Sequence, residues 1–143
     1  MKKDYYDYQT LNILENNGKK MSIEYDSSLV RNVVAAYDKQ IKDLTDADLR
    51  VLVGQKMGLE FIIHRVIKRF KVNLFADCDL YEGVLLKNVL EIPDIFWQKN
   101  KNEYLEILQI INLQPQEQFE ELIQVIGKKV LEKKLSSFKS VQF

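Results

Sequence analysis

The sequence predicts an all-α fold: a compact single-domain bundle of about six helices behind a polar, tyrosine-rich N-terminal arm. Three observations carry this expectation. Two prolines and five glycines in 143 residues are too few turn signals for a sandwich or barrel of many short strands. Apolar residues recur at three- and four-residue spacing over most of the chain, as they do in helices with one buried face. A hydrophobic content of 46% supplies enough apolar surface to offset the entropy of ordering one core. The expected organisation is a single domain, 1–143, with residues 1–25 as the arm and 26–139 as the helical core.

After the polar lead, the cluster Asp26-Ser27-Ser28 offers an N-cap, and Val30, Val33, Val34, Tyr37 and Ile41 follow at helical spacing. Thr45, with Asp48 three residues later, is close to a capping box and opens a short helix through Val53. Gly54 and Gly58 mark either a break or a tight packing point, the break being the favoured reading. Leu59, Ile62, Ile63, Val66, Ile67 and Phe70 then line one face of a helix, with Glu60, His64, Arg65, Lys68 and Arg69 on its polar side. Residues 73–83, NLFADCDLYEG, read as an acidic loop with a few apolar anchors. The loop leads into a helix with Leu85, Leu86, Val89 and Leu90, which Pro93 ends. Pro93 also suits the first turn of a short helix carrying Phe96 and Trp97. Tyr104 to Leu113 is apolar nearly all round, which predicts a central helix covered on several sides. Pro115 restarts the chain into one long final helix with Phe119, Leu122, Ile123, Ile126 and Val130 inward, ending in a lysine-rich tail suited to a helix C-terminus.

Twenty-one basic residues balance twenty-one acidic ones, so the chain as a whole has no field to draw it to phosphate backbones or anionic lipid. Neither nucleic acid nor a membrane is an expected partner. The charge is nevertheless segregated: Asp77, Asp79, Glu82, Glu91 and Asp94 face only Lys87 within residues 77–94, whereas 65–71 and 128–139 are basic. This pattern belongs to solvated helix faces of mixed sign, or to a dipolar surface suited to a charged protein partner. Cys78 is the single cysteine, so no internal disulfide forms and nothing points to an oxidising compartment. No apolar stretch follows the N-terminal lysines, and none approaches the roughly 20 residues that span a bilayer. A cytoplasmic location is expected.

A catalytic triad needs a base, and the only histidine, His64, is spaced by four from Glu60 and Lys68, as a surface histidine paired with Glu60 would be. Cys78 lies between two aspartates that disfavour a thiolate, so a half-buried structural thiol is the better reading. Asp77, Cys78, Asp79 and Glu82 lack the glycine and distal glutamate of a calcium loop, and zinc spacing is impossible with one cysteine and one histidine. No phosphate loop occurs, and Asp46 with Asp48, or Glu120 with Glu121, stand too close in sequence to face one another across a sugar. No catalytic residue, metal or cofactor is therefore expected. Tyr5, Tyr6 and Tyr8 suit either a partner contact or an arm packed over the helices, and Phe96 with Trp97 suit a core.

The stretch DLTDADLRVLVGQKMGLEFIIHRVIKRF, followed by DCDLYEGVLLKNVLEIPDIFW, resembles the small bacterial immunity proteins of contact-dependent growth inhibition (CDI) systems. The resemblance spans about residues 27–100 and rests on Asp43-Leu44-Thr45, Asp48-Leu49-Arg50, Gly54-Gln55, Gly58-Leu59, Asp79-Leu80-Tyr81, Gly83, Leu85-Leu86 and Phe96-Trp97 in that order. The chain departs from the family pattern at Glu82, where proline is expected, at Val84, where aspartate is expected, and at His64, in a part of the helix that carries proline. The resemblance implies a cytoplasmic protein that catalyses no reaction and binds the C-terminal toxin domain delivered by a neighbouring cell. Asp77, Asp79, Tyr81 and Glu82 are the expected toxin-binding residues, because a nuclease toxin is commonly basic and complementary charge speeds encounter. The alternatives are a helical adaptor or structural subunit unrelated to toxins, and a small enzyme built around His64 and the acidic loop. The sequence sets no oligomeric state.

Overall fold

The computed structural model describes residues 2–16 and 27–143, and every named element among them is helical. An isolated bridge between Thr10 and Gln40 stands outside any strand. The chain falls into two compact units, Met1–Arg65 and Val66–Phe143.

The first unit opens with two short helices, α1 (Lys2–Asp7) and α2 (Leu11–Asn16). The described part of the expected arm is thus folded, because Leu11 gives it an apolar anchor with no exposed surface and Tyr6 rests edge-on against Phe61 at 5.0 Å. Helix α3 (Ser28–Tyr37) starts at the expected cap, where Ser27 Oγ accepts the Val30 N–H at 3.2 Å. Asp26, the first residue of that cluster, lies outside the described residues. The buried stripe of α3 consists of Val33, Ala36 and Tyr37, while Ile41 sits fully buried in a following 3-10 turn, Ile41–Asp43.

Helix α4 (Asp46–Gly54) begins with the capping box. Thr45 Oγ1 accepts the Asp48 N–H at 3.1 Å, and Asp48 Oδ2 accepts the Thr45 N–H at 2.9 Å. Lys39 Nζ reaches the same oxygen at 2.7 Å. Burial pushes the Asp48 carboxyl up, but the bonds from Lys39 and Thr45 outweigh it and hold the group below the usual carboxylate range. A depressed folded-state pKa contributes stability that is complete above the unfolded value of about 3.9 and is lost as pH falls through the folded value. Asp48→Asn is therefore expected to cost about 1–2 kcal/mol at neutral pH and to flatten the loss of stability below about pH 4. Urea denaturation at pH 7 and at pH 3 checks both halves of that expectation.

Helix α4 ends at Gly54 and α5 (Leu59–Val72) begins at Leu59, so the two glycines bracket the expected break. Gly58 is also a packing point: its φ is +67°, and a Cβ there would lie 2.9 Å from the side chain of Leu11. The boundary between the units falls within α5.

The second unit continues with α6 (Val84–Leu90), α7 (Asp94–Lys99), α8 (Lys101–Leu113), α9 (Gln116–Ile126) and α10 (Lys128–Lys139). Pro93 supplies the N-cap of α7. Trp97 is fully buried, edge-on to Phe138 at 5.4 Å and tilted against Tyr104, whose hydroxyl donates to the Phe138 carbonyl at 2.8 Å. The described residues form ten α-helices and the 3-10 turn rather than about six helices. Two of the additional helices come from the arm. A third arises where Gly127, at φ +98° and ψ 137°, splits the expected final helix. The break resets the helical phase, so Val130 is 45% exposed and Leu131 and Phe138 turn inward in its place. Helix α8 also differs from expectation. It is not covered on several sides: Tyr104, Ile107 and Ile111 form one buried row, whereas Leu105 and Leu113 are exposed.

Candidate functional site

The acidic loop between α5 and α6 owes its shape to alternation. Leu74, Ala76 and Cys78 are buried, and the residues between and after them, Asp77, Asp79 and Leu80, are exposed. Ala76 and Cys78 thus direct their neighbours Asp77 and Asp79 to solvent. Cys78 is 1% exposed, a fully buried thiol and not a half-buried one.

Backbone hydrogen bonds fix the turn. Asn73 Oδ1 accepts the Phe75 N–H at 2.9 Å, and the Phe75 carbonyl accepts the Gly83 N–H at 3.0 Å, closing the loop across its base. At the tip, Asp77 Oδ1 accepts the Asp79 N–H at 3.2 Å and the Asp77 carbonyl accepts the Leu80 N–H at 2.8 Å. Cys78 and Asp79 both adopt left-handed backbone, φ 47° and 65°. Aspartate tolerates this region better than most side chains, and the Asx turn of Asp77 offsets part of the strain. Gly83, at φ +80°, lies so close to Leu122 that a Cβ there would force the leucine side chain to shift.

The structure places Asp77, Asp79 and Glu82 at the surface of this one loop and leaves Tyr81 half-buried among them. Among the described residues none of the three carboxylates makes an ion pair. Glu91 behaves differently, with Lys87 Nζ at 3.1 Å and Lys134 Nζ at 3.0 Å from its Oε1. Burial raises the Glu91 pKa, but the two lysines lower it further and keep the carboxyl ionised. The acidic stretch of the sequence therefore has a neutralised end near Glu91 and an uncompensated end in the loop. Two recesses flank the loop. One, of about 190 Å³, brings Glu82 together with Glu121 of α9, beside Phe75 and Gln118. The other, of about 300 Å³, sets Tyr81 beside Lys87, Val125 and Ile126. Sequence reasoning missed Glu121 and Val125, which stand some 40 residues from the loop and are brought to it only by tertiary packing.

His64 is not a surface residue paired with Glu60. It is 6% exposed, and its Nε2 lies 2.7 Å from Oδ1 of Asp7, itself 8% exposed. Arg65 Nη1 lies 3.7 Å from the other oxygen of Asp7, and its Nη2 donates to the Lys42 carbonyl at 3.2 Å. These contacts fasten α1 to α5 within the first unit. The signal for this burial was Phe61, three residues before His64 and beside it on the helix. Among the described residues no group of three or more His, Cys, Asp or Glu side chains is placed to hold a metal ion, and no helix is long and apolar enough to cross a membrane.

Compared with known proteins, residues 4–107 match the sequence model of a family described as CDI immunity proteins. That span contains the whole of the acidic loop and stops inside α8. No curated protein and no solved structure matches the chain.

Proposed function

Since the chain belongs to the CDI immunity proteins, we propose that it protects its own cell by binding the C-terminal toxin domain of the cognate contact-dependent growth inhibition effector. Neutralisation is stoichiometric: the bound immunity protein covers or obstructs the toxin's working surface, and no bond is made or broken. The partner is a protein with a basic contact surface, and binding takes place in the cytoplasm without nucleic acid, membrane or cofactor. The observation that most supports this reading is the loop itself, in which Asp77, Asp79 and Glu82 surround Tyr81 on backbone that is already fixed. Tyrosine at the centre and unpaired charge at the rim suit a contact in which electrostatics guides encounter and an aromatic side chain anchors it.

Co-purification with the C-terminal domain of the toxin encoded next to this gene, paired with growth rescue in cells making that domain, tests the reading. A stable one-to-one complex together with rescue is the expected outcome. Two folded proteins that neither associate nor rescue growth would instead leave the chain as a helical adaptor or structural subunit.

A further inference from the structure

Helices α9 and α10 pack against one another in the second unit and carry opposite charge. Helix α9 has Glu117, Glu120 and Glu121 and no basic residue. Helix α10 has Lys128, Lys129, Lys133, Lys134 and Lys139 against Glu132 alone. Neighbouring helices of opposite sign can pair across their seam, but these do not. All three glutamates of α9 are exposed, as are Lys128, Lys129, Lys133 and Lys139, and among the described residues none of these groups makes an ion pair. Lys134 is held by Glu91 at 3.0 Å. Glu117, Glu120 and Glu121 are three and four positions apart and share one side of α9, while Lys129 and Lys133, four apart, run as a stripe along α10. Val125 and Val130 flank the Gly127 break between the two helices and are 50% and 45% exposed. The chain is formally neutral, so no net charge repels a second copy.

We propose that this face pairs with the same face of a second copy of the chain. The basis is self-complementarity: a surface with an acidic strip beside a basic one matches itself under a two-fold rotation, α9 of each protomer lying on α10 of its partner. Val125 and Val130, at the junction of the strips, then lie near the axis and supply the apolar centre of the contact. Exposed ion pairs each contribute little and the apolar area is small, so the dimer is weak, with a Kd of about 100 μM at low salt. Both helices lie beyond residues 4–107, so the family match does not bear on this face. The pairing is independent of the immunity reading and is tested without toxin.

Sedimentation equilibrium of the full chain from about 10 μM to 1 mM, at low salt and at about 0.5 M NaCl, reads the association directly. The expected result is an equilibrium that stops at the dimer and weakens at least several-fold in high salt. A monomer at every concentration, or association that continues past the dimer, would overturn the two-fold pairing. Two charge-reversed proteins then locate the face. Glu117→Lys with Glu120→Lys turns the strip on α9 basic, and Lys129→Glu with Lys133→Glu joins Glu132 in an acidic stripe on α10. Circular dichroism checks that each is folded, and each alone is expected to be monomeric. Mixed in equal amounts, they are expected to dimerise about as tightly as the unaltered chain, because each strip again faces its opposite. Lys68→Glu with Lys71→Glu makes the same change in net charge on α5, and its mixture with the α9 variant should remain monomeric. Dimers of either α9 or α10 variant alone, failure of their mixture to dimerise, or equal rescue by the α5 variant would overturn the proposal.

Discussion

With lysine at positions 77 and 79, the protein is expected to bind the cognate toxin domain about 100-fold or more weakly and to lose growth rescue. The double reversal, Asp77→Lys with Asp79→Lys, replaces two uncompensated negative charges by two positive ones opposite the basic contact surface proposed for the toxin. Like-charge contacts of that kind cost several kcal/mol, and each 1.4 kcal/mol is a factor of ten. The substitution also removes the Asx bond to the Asp79 N–H and places lysine at φ 65°, so a local structural effect must be separated from the electrostatic one. Asp77→Asn with Asp79→Asn makes that separation. Asparagine keeps the side-chain acceptor and tolerates left-handed backbone, but carries no charge. The asparagine pair is expected to slow association several-fold and to reduce its salt dependence, with thermal stability almost unchanged. Full rescue by the lysine pair would remove this loop from the contact surface.

Gly83→Ala is expected to destabilise the protein by about 2–4 kcal/mol, combining left-handed strain with a methyl group forced against Leu122. Gly127→Ala is the comparison. Its φ of +98° strains any side chain, but nothing lies within 4 Å of the added Cβ, so about 1–2 kcal/mol is expected there. The two backbones differ, with ψ 4° at Gly83 and 137° at Gly127, so a larger cost at Gly83 reads the clash over and above a Gly127 strain that is itself no smaller. Because the Gly83 N–H closes the loop onto Phe75, Gly83→Ala should also weaken toxin binding, and Gly127→Ala should not.

Local chemistry was the part of the fold that could be read before the structure. The Thr45–Asp48 capping box, the Ser27 cap, the break between Gly54 and Gly58 and the apolar face of α5 each depend on residues within a few positions of one another. Phase and partnership were less legible. Ile123, Ile126 and Val130 continue one helical stripe on paper, yet the backbone of Gly127 interrupts it, and glycine in a helical pattern does not announce its φ. Helix α8 has apolar residues on most of its circumference, but which of them find neighbours is a tertiary fact, and Leu105 and Leu113 find few. His64 was misplaced for a related reason: its partner, Asp7, lies 57 residues away in a lead that looks polar throughout. The acidic loop was visible as a run of charge, but its recesses were not, since Glu121 and Val125 come from α9.

The buried anchors of the acidic loop also bear on how long a complex would last. Leu74, Ala76 and Cys78 hold the backbone while Asn73, Asp77 and Gly83 tie its turns, so the conformational freedom of this segment is surrendered when the chain folds. A floppy loop would give up that freedom at the moment of association, at about 1–2 kcal/mol for each residue immobilised. A preset loop spares the complex this loss, so that more of each contact's free energy goes into slowing dissociation.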